Sequence, residues 1–90
     1  MSEQFKLIQK DNPQISYQTA SETFSLGRSS DCEIVIDDPH ISRVQATVRT
    51  AKNRYVIKNI GRNPLLINGA PAPERYLKDG DILTLGKVNY

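Results

Sequence analysis

Apolar residues in this chain come in short runs at strand spacing, separated by turn formers, and no helical period is sustained over ten residues or more. That pattern restricts the chain to an all-β fold. Phe5-Lys6-Leu7-Ile8 reads as a first strand, Asp11-Asn12-Pro13 as a turn, Gln14 to Tyr17 as a second strand, and Thr23 to Leu26 as a third that stops at Gly27. Cys32, Ile34 and Ile36 alternate with Glu33, Val35 and Asp37, so the first set is expected to face a core until Asp37-Asp38-Pro39 ends the strand. Val44, Ala46 and Val48 alternate in the same way with Gln45, Thr47 and Arg49, and a turn at Thr50 to Asn53 leads back through Arg54 to Lys58 as a hairpin.

After a loop from Asn59 to Pro64 come a brief strand at Leu65-Leu66-Ile67 and the hairpin signal Asn68-Gly69. Pro71 and Pro73 keep the next stretch out of any central strand. Asp79-Gly80 is another turn, Ile82 to Leu85 a further strand before Gly86, and a last strand begins at Val88. About ten or eleven short strands with frequent turns predict a two-sheet antiparallel β-sandwich.

Ninety residues suffice for one core but not for a cleft between lobes, so function is expected on surface loops. The chain reads as a single domain over residues 1–90; it stops at Tyr90 as a strand begins, which leaves the N-terminal part of a longer protein as the other reading. Twelve Lys and Arg against ten Asp and Glu leave a formal net charge of +2, scattered from Lys6 to Lys87, which argues against a nucleic-acid footprint. With Cys32 as the single cysteine and one histidine, no intramolecular disulfide and no zinc site are expected, and no cofactor is implied. The start Met-Ser-Glu-Gln-Phe-Lys lacks the apolar core of a signal peptide and no apolar run is long enough to span a bilayer, so a cytoplasmic setting away from membranes is expected.

Chemistry concentrates where the turns fall. Gly27-Arg28, Ser42-Arg43 and Asn63 each stand beside a turn former or at the end of an apolar run, on loops that one scaffold can bring to a common rim. Arg offers a planar fork of donors matched to phosphate oxygens, Ser a rotatable hydroxyl, and Asn an amide that both donates to and accepts from a peptide backbone. These groups suit capture of a phosphate ester, not turnover. An enzyme built from Asp38, His40 and Ser42 is improbable, because nucleophile, base and orienting group are usually supplied by separate elements.

The order of these motifs resembles the forkhead-associated (FHA) domain from Phe24 to Leu85. The segments are Leu26-Gly27-Arg28, Asp31 to Pro39, Ile41-Ser42-Arg43, Asn59-Ile60-Gly61-Arg62-Asn63, Ile67-Asn68-Gly69 and Leu77-Lys78-Asp79-Gly80-Asp81-Ile82. The resemblance implies a phosphothreonine-binding β-sandwich that holds its peptide with loops at one end and serves phosphorylation-dependent protein–protein interaction in a Ser/Thr kinase pathway. It implies that Arg28 and Ser42 bind the phosphate, that Asn63 holds the peptide main chain, and that Arg43 is a second phosphate or peptide contact. Arg62 is either an added cation of the pocket or a solvated loop arginine.

Two positions depart from the family pattern. A histidine that usually braces the loops is replaced by Gln45, whose amide can supply similar hydrogen bonds through a more flexible side chain. Gly and Thr after the asparagine are replaced by Pro64 and Leu65, so the turn must differ and Asn63 is restricted to extended conformations. The alternative is a phosphate-independent protein-interaction domain whose site has drifted.

Overall fold

Alternation of core-facing and solvent-facing side chains resolves into eleven strands and no helix over residues 5–90, the part of the chain described by the computed structural model. In chain order these are β1 (Phe5–Ile8), β2 (Ser16–Thr19), β3 (Thr23–Gly27), β4 (Ile34–Val35), β5 (Ala46–Ala51), β6 (Arg54–Asn59), β7 (Leu66–Ile67), β8 (Ala70–Pro71), β9 (Glu74–Tyr76), β10 (Leu83–Leu85) and β11 (Val88–Asn89). One sheet runs β4-β3-β5-β6-β9 and a second runs β11-β10-β7-β8. The β1-β2 hairpin joins the second through the Lys10 N–H, which donates to the Asn89 carbonyl at 2.9 Å. Between the layers, Phe24, Leu26, Val48 and Ile57 share one apolar core with Ile67, Leu83 and Leu85. Phe5 closes one side of it, its ring edge-on to Phe24 at 5.0 Å and to Tyr55 at 5.4 Å between centroids.

Hairpin geometry follows local chemistry. The β5–β6 turn is two residues, Lys52 and Asn53, with φ of 53° and 62°; the β7–β8 turn is Asn68 and Gly69, with φ of 54° and 85°. Both have the doubly positive φ of a type I′ turn, whose twist matches the strands it joins.

Several boundaries differ from the sequence expectation, each for a physical reason. The second strand starts at Ser16, not Gln14, because the Ile15 N–H donates to the Asn12 carbonyl at 2.9 Å and holds those residues in the turn. The Cys32 to Ile36 segment keeps its alternation in burial, but only Ile34 and Val35 join a ladder, and that ladder is parallel to β3 in an otherwise antiparallel molecule. Parallel pairing arises because the Cys32 N–H donates to the Ser29 carbonyl, turning the chain, and the Ile36 N–H donates back to Gly27 at 2.8 Å. The fifth strand begins at Ala46; the Gln45 carbonyl before it accepts from the Ile60 and Gly61 N–H groups of a loop, and its side chain, set opposite to Ala46 by a period of two, is itself fully buried. β8 and β9 form where no strand was expected, and both lie at sheet edges, as Pro71 and Pro73 require.

Candidate functional site

Strand register gathers the loops that carry the candidate residues. Leu26 at the end of β3 pairs with Ala46 at the start of β5, and Ala46 pairs with Asn59 at the end of β6. The segments after Leu26, before Ala46 and after Asn59 therefore leave the same end of the sheet. Backbone hydrogen bonds then lace them together. The Arg28 N–H donates to the Ser42 carbonyl at 3.1 Å, Ser29 donates to Arg43 at 3.0 Å, and both Ile60 and Gly61 donate to the Gln45 carbonyl at 3.0 Å.

Two glycines allow this approach. A Cβ on Gly27 would stand 2.2 Å from the Arg43 carbonyl oxygen, a backbone atom that cannot step aside. A Cβ on Gly61 would stand 2.6 Å from Ser42 Oγ, so Gly61 is what lets the third loop lie against the serine.

Arg28 is exposed, and its Nε donates to the Ile41 carbonyl at 3.3 Å. It does not pair with Asp31. The two terminal nitrogens of the fork have no partner among the described residues, so the guanidinium is anchored at its base and open at its tip. Ser42 is half-buried; its N–H donates to Gln45 Oε1 at 3.0 Å, while its hydroxyl has no hydrogen-bond partner among the described residues. Arg43, next to that serine in the chain, and Arg62, next to the Gly61 that lies against it, are exposed, again with no carboxylate bound among the described residues.

Asn63 makes contacts within the protein on both its side chain and its backbone. Its Nδ2 donates to the His40 carbonyl at 2.5 Å, tying the β6–β7 loop to the β4–β5 loop, and its own carbonyl accepts from Gln45 Nε2 at 2.8 Å. Oδ1 is left as the open acceptor of the side chain. The structure thus makes Asn63 a latch between two loops.

Gln45 is the support beneath all of this. Fully buried, it spends both amide hydrogens, one on Asn59 Oδ1 at 2.7 Å and one on the Asn63 carbonyl at 2.8 Å, and accepts the Ser42 N–H on Oε1. Every polar atom of the side chain is satisfied, which is the condition for burying it at low cost. The flexible torsions expected of a glutamine are held by three hydrogen bonds and close packing.

His40, weighed from the sequence only as part of an improbable catalytic group, lies with its backbone in the middle of these loops. Its backbone carbonyl takes the Asn63 amide, and its neighbour Ile41 takes Arg28. The signal that could have found it is Asp38-Pro39-His40, since an aspartate two residues before another residue commonly accepts that residue's N–H in a tight turn. A groove of about 710 Å³ elsewhere, between β1, the start of β6 and the Leu77–Leu83 stretch, shares no lining residue with these loops. Donors projecting from loops can grip a phosphate without any cavity, so the loop end remains the candidate site.

Comparison with known proteins covers the stretch of chain that carries these loops. The sequence model of the FHA domain matches residues 24–86. An FHA domain from a structural and functional analysis of phosphothreonine-dependent FHA domain interactions superposes with a TM-score of 0.85 at 26% identity, covering 93% of this chain and 88% of that one. The FHA domain of FhaA, complexed with the intracellular domain of Rv3910, superposes with a TM-score of 0.84 at 26% identity, over 93% of each chain. An oxoglutarate dehydrogenase inhibitor of Corynebacterium jeikeium is 33% identical over 67 residues, which are 73% of this chain and 46% of that protein. The chain therefore spans about half the length of that relative.

Proposed function

The chain belongs to the forkhead-associated (FHA) domain family, and we propose on that premise that it is a phosphothreonine-peptide recognition module mediating phosphorylation-dependent protein–protein interaction in signalling. The observation that carries this is the pairing of Arg28 with Ser42: their loops are bound backbone to backbone, while the guanidinium tip and the hydroxyl face no partner among the described residues. Similar FHA domains whose interactions are phosphothreonine-dependent support the reading.

A phosphothreonine carries roughly −1.5 to −2 charges and three acceptor oxygens. Arg28 would grip two of those oxygens with its open fork and Ser42 would donate its hydroxyl to another. Arg43 and Arg62 would add positive charge around them, and Asn63 Oδ1 would accept a peptide N–H. Preformed loops keep the entropic cost of capture low, since the donors are ordered before the ligand arrives. The partner is a threonine-phosphorylated protein supplied by a Ser/Thr kinase, met in the cytoplasm, and the residues of the site bind without catalysing. Residues 1–90 would act as one such domain.

Titration with a phosphothreonine peptide and its unphosphorylated counterpart tests the reading. Phosphate-dependent binding is expected, with Arg28→Ala losing on the order of 2–5 kcal/mol, the range for truncating one member of a hydrogen-bonded charge pair. Equal binding of the two peptides would instead favour a phosphate-independent interaction domain, and unchanged affinity in the variant would remove Arg28 from the site.

A further inference from the structure

His40 stands between the two residues to which phosphate and peptide contacts have been assigned. Its carbonyl accepts Asn63 Nδ2 at 2.5 Å, and the next carbonyl, of Ile41, accepts Arg28 Nε at 3.3 Å. The segment His40-Ile41-Ser42 is thus the strip of backbone joining all three. On that strip the imidazole is held by one edge. Asp38 Oδ1 accepts the His40 N–H at 2.9 Å and lies 3.2 Å from Nδ1, in a turn closed by the Ile41 N–H donating to the Asp38 carbonyl at 3.0 Å. Behind it lies the β10–β11 turn, where a Cβ on Gly86 would be 3.0 Å from His40 Cβ. The other edge is open: Nε2 has no partner among the described residues, and the side chain is 53% exposed.

The charges around the ring are divided. Asp38, on its own loop, lies 3.2 Å from the ring, and Asp37 precedes it in the chain. Arg28 and Arg62 stand on the two flanking loops, and Lys87 follows Gly86 in the β10–β11 turn. Tyr90, packed nearby and sensing Asp38, stays neutral because burial pushes its hydroxyl up to about 12. Imidazole is the side chain whose charge changes near physiological pH.

We propose that His40 is an additional residue of the ligand site, its Nε2 edge facing the phosphorylated peptide as an imidazolium donor, so that phosphopeptide binding is coupled to proton uptake. The coupling rests on the phosphothreonine reading above. A phosphate brings roughly two negative charges to the rim, and each reinforces the protonated ring as Asp38 does. By reciprocity, the protonated ring favours the phosphate.

The chain has a single histidine, so its ring protons can be followed by NMR without assignment variants. Added phosphothreonine peptide, at a fixed pH between 6 and 7, is expected to move those resonances toward their imidazolium positions, whereas the unphosphorylated peptide leaves them in place. In parallel, the ratio of phosphopeptide affinity between the unaltered protein and His40→Gln is expected to be about tenfold larger at pH 6 than at pH 8, the loss of one charge-assisted hydrogen bond. Comparison at each pH cancels the titration of the phosphate itself. Phosphate-dependent binding with unmoved ring resonances, or with a constant ratio between the two proteins from pH 8 to pH 6, would overturn the role of His40 and leave the phosphothreonine reading standing. Equal binding of both peptides would instead overturn that reading, and this inference with it.

Discussion

Gln45 shows how much of a binding site can depend on a residue that touches no ligand. Its amide serves the Ser42 N–H, Asn59 Oδ1 and the Asn63 carbonyl at once, so one side chain sets the spacing between two of the three loops at this end. Leucine at this position would fill similar volume and leave those groups without partners. Gln45→Leu is therefore expected to lose about 2–4 kcal/mol of stability in denaturant unfolding, given about 1–3 kcal/mol for each buried polar group left unpaired. Gln45→His is milder, because a neutral imidazole offers one donor and one acceptor where the amide offers two donors and an acceptor. A loss of about 1 kcal/mol with phosphopeptide binding retained is the expected outcome; full loss of binding in Gln45→His would mean that the second amide donor is essential to loop spacing.

Hairpins and their clamps decide the robustness of the elements. The β5–β6 turn places Lys52, a residue with no special tolerance of the left-handed region, at φ 53°. Left-handed backbone costs an ordinary residue about 1–2 kcal/mol, and glycine escapes that cost. Lys52→Gly is expected to stabilise the protein by up to about 1 kcal/mol, after the entropy glycine adds to the unfolded chain, read as a raised melting temperature with the fold unchanged. In the second sheet, Asn68 and Asp81 lock the β7–β8 turn to the loop before β10. Asn68 Nδ2 donates to Asp81 Oδ1 at 3.0 Å, and the Lys78 N–H donates to Asp81 Oδ2 at 2.8 Å. Desolvation alone would raise the Asp81 carboxyl, but these two bonds and the nearby charges of Arg75 and Lys78 outweigh it and hold the group below its usual range. A carboxylate depressed in the folded state contributes stability that is complete above its unfolded value, near 3.9, and is lost as pH falls through its folded value. Asp81→Asn is accordingly expected to lower stability at pH 7 and to flatten the decline of stability below about pH 4, measured by thermal unfolding across pH.

For the molecule as a whole, the division of labour is between a sandwich that carries stability and an end that carries chemistry. The core residues Leu26, Ala46, Val48, Ile57, Ile67 and Leu85 are completely inaccessible, whereas Arg28, Arg43 and Arg62 stand in solvent. A ligand that binds this preformed end should stabilise the fold by mass action without rearranging it. Phosphothreonine peptide at about a hundred times its Kd is expected to add about 2.7 kcal/mol, which in a domain of this size raises Tm by about 10 °C or more. The unphosphorylated peptide should leave Tm unchanged at the same concentration, and a scan of both by calorimetry reads the difference directly.

Much of the fold was legible in the sequence because it rests on local rules. Asn68-Gly69 announces its turn through the φ preferences of two residues, and the alternation of Cys32, Ile34 and Ile36 sets their burial whether or not a full ladder forms. The order of motifs likewise marked Arg28 and Ser42, and the structure brings their loops into direct contact.

What tertiary structure decided is the set of contacts between residues far apart in the chain. The burial of Gln45 breaks its strand's period because its partners Asn59 and Asn63 lie 14 and 18 positions away. The Asn63 amide turns to His40, 23 positions away, and the parallel pairing of β4 depends on how the chain folds back after Gly27. Spacing along a chain records which side a residue favours; which distant carbonyl its amide reaches is settled only when packed sheets bring the two loops within hydrogen-bonding distance.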